Sequence, residues 1–465
     1  MRVVHVSTLL RGGAAAAMLG LHEALMRRGV ESHVLVPSQA AGGENFSGLV
    51  TIEDPLSSVR MTVEQECIYA NRTAGANSYY SLDVCGLDIS GHPEIAAADV
   101  VHLHWVADFL SSYSLAGLAR AGCRVVWTLH DMRPITGGCH FSGGCAGFEG
   151  ECAFCPQLAD SFDEAPARGL ENLRMAAEWL GATYVSPSRW MEECVRRSSV
   201  AAGRVVRYIP YGVDGGVFAV GDRTEAREQL GLPGNVGVLL VTADVASETR
   251  KGFREAAAAL KGCVGEDWVL AVAGGDASAF ADTGWRVCDL GRIGGREKMA
   301  AAYRASDVFL CPSLEDNLPN TVLEAMACGC PVVGFPFGGM RDLVVDGITG
   351  RLAKTGTPGD LREVIVALMD DSEGRAAMGR AARERAMEVY HPDLQARDYE
   401  ALYREMLDEE PGLIAPPENP GGSDLEAAPL LAAASVRNRR QLNELYACTA
   451  EQRRYIDSLE HELGR

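Results

Sequence analysis

The sequence predicts an α/β protein with parallel sheets and more than one domain. The apolar run Val308–Cys311 leads into a loop, a segment with helical spacing follows up to Gly329, and a second apolar run begins at Pro331. This order of strand, loop, helix and strand is typical of parallel α/β sheets. The chain has 465 residues, which is too long for one ordinary domain, so we expect two or three domains.

Composition and charge narrow the class of protein. Hydrophobic residues make up 47% of the chain and charged residues 23%, values that allow a large core. The net charge of −20 argues against binding to nucleic acid or to an anionic membrane, because both require a basic surface. The opening MRVVHVSTLLRGG lacks the apolar core of a signal peptide, and no run of about 18 apolar residues predicts a membrane span. Fourteen cysteines without a secretion signal indicate reduced thiols in a cytosolic protein.

The N-terminal segment forms a strand–helix–strand unit around two glycines. Its predicted elements are a strand at Arg2–Thr8, a glycine-bearing turn at Leu10–Ala17, a helix at Met18–Arg28 and a strand at Ser32–Pro37. Gly12 and Gly13 therefore lie where a loop meets a helix N-terminus, and there backbone N–H groups can approach an anion. Glycines are common in such turns, so the pair alone does not establish an anion site.

Two further buried strands, Asp99–His104 and Arg124–Leu129, end at histidines. His130 directly follows the second strand, at the edge of a parallel sheet where ligands bind. A single histidine is more often a structural residue than a catalytic one, so both roles are open for His130 from its position alone. His104 has the same placement, and we interpret it as structural.

A glycine-rich segment, here named the cysteine-rich loop (residues 137–158), has the cysteine spacing C-x5-C-x6-C-x2-C, formed by Cys139, Cys145, Cys152 and Cys155. Four cysteines among few core-forming residues favour a loop organised by a tetrahedral metal such as zinc, in a structural role. The spacing is not that of a standard zinc finger. Free thiols on a catalytic-site flap and a labile disulfide are the alternatives.

Arg250 and Lys251 lie just before Gly252 and a predicted helix. Two cations at a helix N-terminus suit a diphosphate, because the helix dipole, the backbone donors and the lysine charge act together. The alternative interpretation is a pair of solvated basic residues.

Two carboxylates follow the strand Val308–Cys311. Asp316 lies in the loop after this strand, and Glu324 lies eight residues later, inside the helix. A carboxylate at this edge of a sheet can accept hydrogen bonds from two neighbouring sugar hydroxyls. The alternative is a partner for the helix dipole and a solvated helical glutamate.

The residues around these carboxylates resemble the donor-site signature of the group 1 retaining glycosyltransferases, which have the GT-B fold. The shared pattern is an acidic residue, seven residues, Glu-Ala-Met-Ala-Cys-Gly and then a Gly-Gly loop. The resemblance implies that Glu324 binds the nucleotide ribose and that Asp316 faces the donor sugar. The family usually has Glu at the position of Asp316, so either the loop lies closer to the sugar or Glu315 supplies the contact.

The same resemblance implies roles at the donor phosphates. Lys251 matches the family's phosphate-binding lysine, and Arg250 is the candidate for an arginine that the family usually carries several residues earlier. The N–H groups of Gly338 and Gly339 would hold the phosphate or the sugar. Arg341 stands where family members usually have proline.

Further matches lie in both halves of the chain. Gly13, with Gly12 as its hinge, matches a loop near the donor phosphates and the acceptor, and His130 matches the active-site histidine beside the reacting sugar. The backbone near Ile293 would meet the nucleobase. A subset of the family also resembles the cysteine-rich loop, usually with Trp at the position of Arg133.

The resemblance predicts two doubly wound, Rossmann-like domains that face each other across a cleft. Residues 1–212 would bind the acceptor and residues 213–389 the nucleotide sugar, while a last helix at 390–408 would return to the first domain. Residues 409–465 would form a Pro/Gly linker and a short helical tail at Asn438–Leu463.

The implied reaction is transfer of a hexose from an NDP-sugar to a hydroxyl acceptor with retention, in bacterial polysaccharide or glycan biosynthesis. The acceptor would be a saccharide or a lipid-linked saccharide. No catalytic cofactor is expected, and zinc is expected in a structural role alone. We expect a cytoplasmic location, with peripheral contact at the inner membrane face as an open alternative. A GT-B hydrolase or epimerase and a non-catalytic sugar-nucleotide binding protein are the other classes.

Overall fold

The computed structural model describes residues 1–54, 57–83, 86–160, 164–243, 248–263, 265, 267–274 and 277–408. The predicted linker and tail helix at 409–465 lie outside the described residues. Within the described residues, no helix has the length and apolar character needed to cross a membrane.

The first half of the described chain forms a parallel sheet of seven strands in the order β3-β2-β1-β4-β5-β6-β7. Its strands are β1 (Arg2–Val6), β2 (Glu31–Pro37), β3 (Leu49–Ile52), β4 (Val100–Leu103), β5 (Val125–Thr128), β6 (Thr183–Ser186) and β7 (Val206–Tyr208). The helices of this half are α1 (Gly12–Arg27), α2 (Ser38–Ala41), α3 (Ser57–Ala70), α4 (Pro93–Ala96), α5 (Ser112–Arg120), α6 (Glu164–Leu180) and α7 (Arg189–Arg197).

The second half forms a parallel sheet of six described strands in the order β10-β9-β8-β11-β12-β13. Its strands are β8 (Gly237–Ala243), β9 (Trp268–Gly274), β10 (Arg286–Asp289), β11 (Val308–Cys311), β12 (Val332–Gly334) and β13 (Gly350–Leu352). The helices are α8 (Arg223–Leu230), α9 (Phe253–Leu260), α10 (Arg296–Ala305), α11 (Asn320–Ala327), α12 (Met340–Leu343), α13 (Pro358–Asp370), α14 (Ser372–Val389) and α15 (Pro392–Asp408).

Both faces of the first sheet are buried, which explains its nearly continuous apolar strands. Val3 on β1 packs with α1 on one face, whereas Val4 belongs to the apolar cluster on the other face. α15 returns to the first face, where Tyr399 and Tyr403 are buried beside Leu21 of α1. The last helix of the described residues therefore completes the core of the first domain.

The chain crosses between the two sheets twice, and the crossings touch. The backbone N–H of Val213 donates to the carbonyl of Tyr390 at 2.8 Å. The N–H of Gly212 donates to the side chain of Gln395, at the start of α15, at 3.0 Å. These bonds tie the two connections together beside the cleft.

The first helix is longer than the sequence pattern predicts. α1 begins at Gly12, whereas apolar spacing predicts a start at Met18. The residues between them include four consecutive alanines, the best helix formers, so the helix extends back through them to the turn. The two glycines thus lie in the first turn of α1.

Candidate active site

The candidate site lies at the points where the strand order of each sheet reverses, between β1 and β4 and between β8 and β11. In open α/β sheets, ligands bind beyond the carboxyl ends of the strands at such points. The loops after β8 and β11 carry Lys251 and Asp316, the loop after β5 carries His130, and Gly13 lies at the start of α1, which follows β1. The two domains present these loops to each other.

Asp316 and Lys251 form an ion pair at the centre of the site. The Lys251 Nζ atom lies 2.8 Å from Asp316 Oδ2, and Arg250 Nη1 lies 3.7 Å from the same oxygen. Burial disfavours the charged form of Asp316, but the charges of Lys251 and Arg250 outweigh it, so the pKa of Asp316 is lowered. The carboxylate is therefore ionised and held beside the two cations that the sequence predicts for a diphosphate.

Close backbone packing fixes the loop that carries Lys251. Gly252 has φ +68°, and a Cβ there would lie 1.9 Å from the carbonyl oxygen of Pro312. The N–H of Leu314 donates to the carbonyl of Arg250 at 2.7 Å. The Lys-Gly pair thus needs its glycine so that the lysine loop can lie directly on the loop of Asp316.

Arg250 is held from two sides. Its Nη2 lies 2.6 Å from Glu248 Oε2, and its guanidinium lies over the Phe141 ring at 4.2 Å from the centroid. Phe141 belongs to the cysteine-rich loop of the first domain, so this cation–π contact crosses the cleft.

The Gly338-Gly339 loop packs against the backbone of the Asp316 loop. A Cβ at Gly338 would lie 1.9 Å from the carbonyl oxygen of Asp316, and one at Gly339 would lie 1.7 Å from that of Asn317. The Gly339 N–H donates to the Asp316 carbonyl at 3.1 Å. Arg341, at the position where the family usually has proline, donates from Nε to the carbonyl of Pro336 at 2.7 Å and so supports the same loop.

Glu324 lies on α11 with its carboxylate oriented by a tyrosine. The Tyr303 hydroxyl donates to Glu324 Oε2 at 2.9 Å, and the Tyr303 ring is fully buried. Ile293 lies after β10, partly buried against the apolar cluster that contains Tyr303. The sequence prediction missed Tyr303, although a hydroxyl in an Ala-Ala-Ala-Tyr helical segment was an available signal.

The N-termini of α1 and α11 meet across the cleft. Asn320, the first residue of α11, donates from Nδ2 to the carbonyl oxygen of Gly13 at 2.8 Å. Gly13 lies in the first turn of α1 after Gly12, which has φ +86°. Two helix N-termini, each with partial positive charge, therefore lie on opposite walls of the site, an arrangement that suits an anion.

Asn317 joins the Asp316 loop to the first domain, a role that the sequence did not reveal. Its Nδ2 donates to the carbonyl of Leu129 at 2.7 Å and to that of His130 at 3.2 Å. The Ser188 hydroxyl donates to its Oδ1 at 2.6 Å. Asn317 is 1% exposed, so this contact is part of a buried interface between the domains.

His130 ends a chain of hydrogen-bonded rings. Its Nδ1 lies 2.7 Å from the Tyr211 hydroxyl, and its Nε2 lies 2.9 Å from Nδ1 of His104. His104 Nε2 lies 2.9 Å from Nδ1 of the buried His5. Burial lowers the pKa of His130 to about 4, so the ring is neutral at physiological pH. His104 therefore helps to orient His130, and both ring nitrogens of His130 have protein partners.

The four cysteines of the cysteine-rich loop are free thiols that line one cavity of about 20 Å³. The backbone N–H of Gly147 donates to Cys145 Sγ at 3.3 Å. Among the described residues, His5, His102 and His104 form a group whose potential metal-ligand atoms all lie within 4.8 Å of one another. The sulfurs of the four cysteines do not form such a group.

Most ring nitrogens of the histidine group have hydrogen-bond partners, whereas the buried Nε2 of His5 has none among the described residues. The two ring nitrogens of His102 lie 2.7 Å from the Thr128 hydroxyl and 2.7 Å from the Tyr403 hydroxyl. These contacts belong to the same buried network that reaches His130.

The zinc prediction for the cysteine-rich loop can be tested directly. Purified, reduced protein is expected to carry about one zinc ion per chain, bound when the four thiols that line the cavity move together into a tetrahedral site. Elemental analysis of freshly purified protein measures this. Cys155→Ser should lose the metal, whereas Cys263→Ser, at a half-buried cysteine of the second domain, should keep it. If the wild-type protein contained no metal, the alternative of a loop with free thiols would remain.

A cavity of about 970 Å³ lies between the domains, beside the loops that carry Arg250 and Gly338. Arg250 and Gly338 line it, as do Glu315, Trp190 of the first domain and Phe337 of the second. Its size is that of a small-molecule site, and its walls combine aromatic rings with charged groups.

Two facing domains with doubly wound parallel sheets define the GT-B fold. The family model for Glycosyltransferase Family 4 matches residues 11–215, and the model for Glycosyl transferases group 1 matches residues 237–371. The chain belongs to the group 1 glycosyltransferases.

Similar proteins include curated relatives and solved structures. A D-inositol 3-phosphate glycosyltransferase 2 of Catenulispora acidiphila is 32% identical over 42% of this chain, but the match spans about half, 49%, of that relative. A putative colanic acid biosynthesis glycosyl transferase, WcaC of Escherichia coli K12, is 25% identical over 72% of this chain and 83% of its own. The structure of Anabaena HepE in complex with UDP-glucose has a TM-score of 0.60, with 16% identity, over 87% of this chain and all of that one.

Proposed function

We propose that this protein is a retaining glycosyltransferase that transfers a hexose from a nucleoside-diphosphate sugar to a hydroxyl group of a saccharide or lipid-linked saccharide. The observation that supports this most directly is the Asp316–Lys251 ion pair at 2.8 Å. It joins a carboxylate suited to sugar hydroxyls, in the loop that leads to the N-terminus of α11, with a cation suited to a diphosphate.

The proposal gives each group a role in breaking the bond between sugar and diphosphate. Lys251 and Arg250 stabilise the negative charge that grows on the leaving diphosphate. Asp316 accepts hydrogen bonds from the sugar hydroxyls. His130 is neutral and hydrogen-bonded at both ring nitrogens, so in this proposal it shapes the wall beside the sugar instead of removing a proton. A phosphate oxygen takes the proton of the acceptor hydroxyl as the new bond forms on the same face of the sugar.

The class of donor and acceptor rests on similarity. The HepE complex with UDP-glucose supports a nucleotide sugar as the donor. The names of the relatives, a colanic acid glycosyl transferase and an inositol phosphate glycosyltransferase, support a hydroxyl acceptor in polysaccharide or glycan biosynthesis. In this proposal no metal takes part in the reaction, because Lys251, Arg250 and the helix N-termini supply the positive charge.

Replacing Glu324 by alanine tests the donor site. Glu324→Ala is expected to weaken nucleotide-sugar binding by about 2–4 kcal/mol, because a carboxylate that binds two ribose hydroxyls is removed. Calorimetry with UDP-, GDP- and dTDP-sugars measures the dissociation constant. Tyr303→Phe keeps the carboxylate but removes the hydroxyl that orients it, so a smaller loss of about 1 kcal/mol is expected.

An unchanged dissociation constant in Glu324→Ala would remove Glu324 from the site. Nucleotide release with and without candidate acceptors then separates the reaction classes. A transferase needs the acceptor for rapid release, whereas a hydrolase or epimerase turns over the donor alone. A non-catalytic binding protein releases nothing in either assay.

A further inference from the structure

Glu315, the residue before Asp316, reaches across the cleft and binds the cysteine-rich loop of the other domain. Its Oε1 accepts from the N–H and the hydroxyl of Ser142, both at 3.2 Å. Its Oε2 accepts from the N–H of Gly143 at 2.8 Å and from Asn77 Nδ2 at 3.2 Å. All of these donors are neutral groups of the first domain, so the carboxylate is the charged partner of each bond.

These bonds occupy the acceptor capacity of the Glu315 side chain. Each carboxylate oxygen already receives two hydrogen bonds, and hydrogen bonds to a charged group are about twice as strong as neutral ones. A sugar hydroxyl could bind Glu315 only by displacing the cysteine-rich loop. Glu315 is therefore unsuited to replace Asp316 as the residue that faces the donor sugar.

Glu315 and Asn317 flank Asp316, and both contact the first domain. Glu315 binds the cysteine-rich loop, and Asn317 binds the carbonyls of Leu129 and His130. Asp316, between them, pairs with Lys251 of its own domain. Because Glu315 and Asn317 hold the chain on both sides of Asp316, their contacts with the first domain limit where the middle carboxylate can point.

We propose that Glu315 is a positioning residue: its hydrogen bonds to Ser142 and Gly143 hold the cysteine-rich loop across the cleft and so fix the orientation of the Asp316 carboxylate. The contact between Phe141 and Arg250 lies beside these bonds and reinforces the same closed arrangement. The inference rests on the proposed function, since it assigns Asp316 to the donor sugar. It gives the cysteine-rich loop a role in donor turnover that does not require a metal.

The first measurement is hydrogen–deuterium exchange of the cysteine-rich loop in the full chain. Glu315→Gln replaces one accepting oxygen by an NH2 group, which faces an N–H donor. The amides of Ser142 and Gly143 are expected to exchange about tenfold faster in this variant. Glu178→Gln, an exposed position on α6, is the matched control and should leave exchange unchanged. Equal exchange rates in Glu315→Gln and wild type would show that Glu315 does not hold the cysteine-rich loop in solution, and this would overturn the proposal.

The second measurement is the steady-state rate with a donor and acceptor that the wild type uses. Glu315→Gln should lower kcat/KM for the donor about tenfold, and Ser142→Ala should lower it less. In the double variant, Ser142→Ala should add almost nothing, because both changes break the same contact. A purely structural contact would lower the melting temperature of both variants while kcat/KM of the folded enzyme stayed within about twofold, and that result would overturn the positioning role. A wild type that neither binds nor turns over nucleotide sugars would refute the proposed function, while exchange still tests the contact.

Discussion

Lys251→Ala is expected to lower kcat by at least tenfold and to weaken donor binding less than it lowers kcat. The charge that Lys251 faces grows as the bond to the diphosphate breaks, so its contribution is larger in the transition state than in the bound donor. The substitution also removes the 2.8 Å partner of Asp316 and leaves that carboxylate with Arg250 at 3.7 Å. Steady-state kinetics and calorimetry on the same preparation separate kcat from donor affinity.

The matched control for this prediction is Lys261→Ala. Lys261 is exposed at the C-terminal end of α9, whereas Lys251 precedes the N-terminal end of the same helix. It should change neither kcat nor binding. A Lys251→Ala enzyme with kcat within about threefold of wild type would refute the phosphate assignment, because one good charge contact with the leaving diphosphate is worth at least tenfold.

The alternation of strands and helices could be predicted from the sequence because the apolar signals are local. Val308–Cys311 is a continuous apolar run since β11 is buried on both faces, and such runs are characteristic of parallel sheets. The start of α1 could not be predicted from such a signal. A run of alanines has no apolar periodicity, so the pattern begins at Met18 although the helix begins at Gly12.

For the candidate site too, residues in local motifs could be predicted, whereas residues that act through distant contacts could not. Asp316, Glu324 and Lys251 lie in short motifs with a recognisable spacing, and the structure places the carboxylate of Asp316 against Lys251. Asn317 and Tyr303 show no such spacing. Asn317 acts through the carbonyl of Leu129, which is 188 residues away in the chain, and no periodic pattern reports a contact of that kind.

The choice between Glu315 and Asp316 shows most clearly which part of the candidate site a sequence pattern leaves open. Both are acidic neighbours in one loop, and either one could meet a sugar by composition alone. Their surroundings distinguish them, because Glu315 meets N–H donors of the cysteine-rich loop and Asp316 meets Lys251. That distinction depends on how the two domains face each other, which a single sequence does not encode in any local motif.

Gly338→Ala is expected to lower kcat/KM for the donor by about 100-fold in an enzyme that still folds. Gly338 has φ +55°, and the added Cβ would lie 1.9 Å from the carbonyl oxygen of Asp316. Because real Cβ atoms do not approach a backbone oxygen that closely, the two loops must move apart. The displacement shifts Asp316 away from Lys251, and a misplacement of about 1 Å can cost about 100-fold in rate.

The backbone strain of this substitution can be separated from its clash. Gly347→Ala is the matched control, because Gly347 has φ +77° and no atom within 4 Å of an added Cβ. Both variants introduce an L-residue into the left-handed region and should lose about 1–2 kcal/mol of stability for that reason. Thermal unfolding measures this shared loss, and kinetics measure what is specific to Gly338. If Gly338→Ala lost stability like Gly347→Ala but kept wild-type kcat/KM, the Gly-Gly loop would not control the position of Asp316.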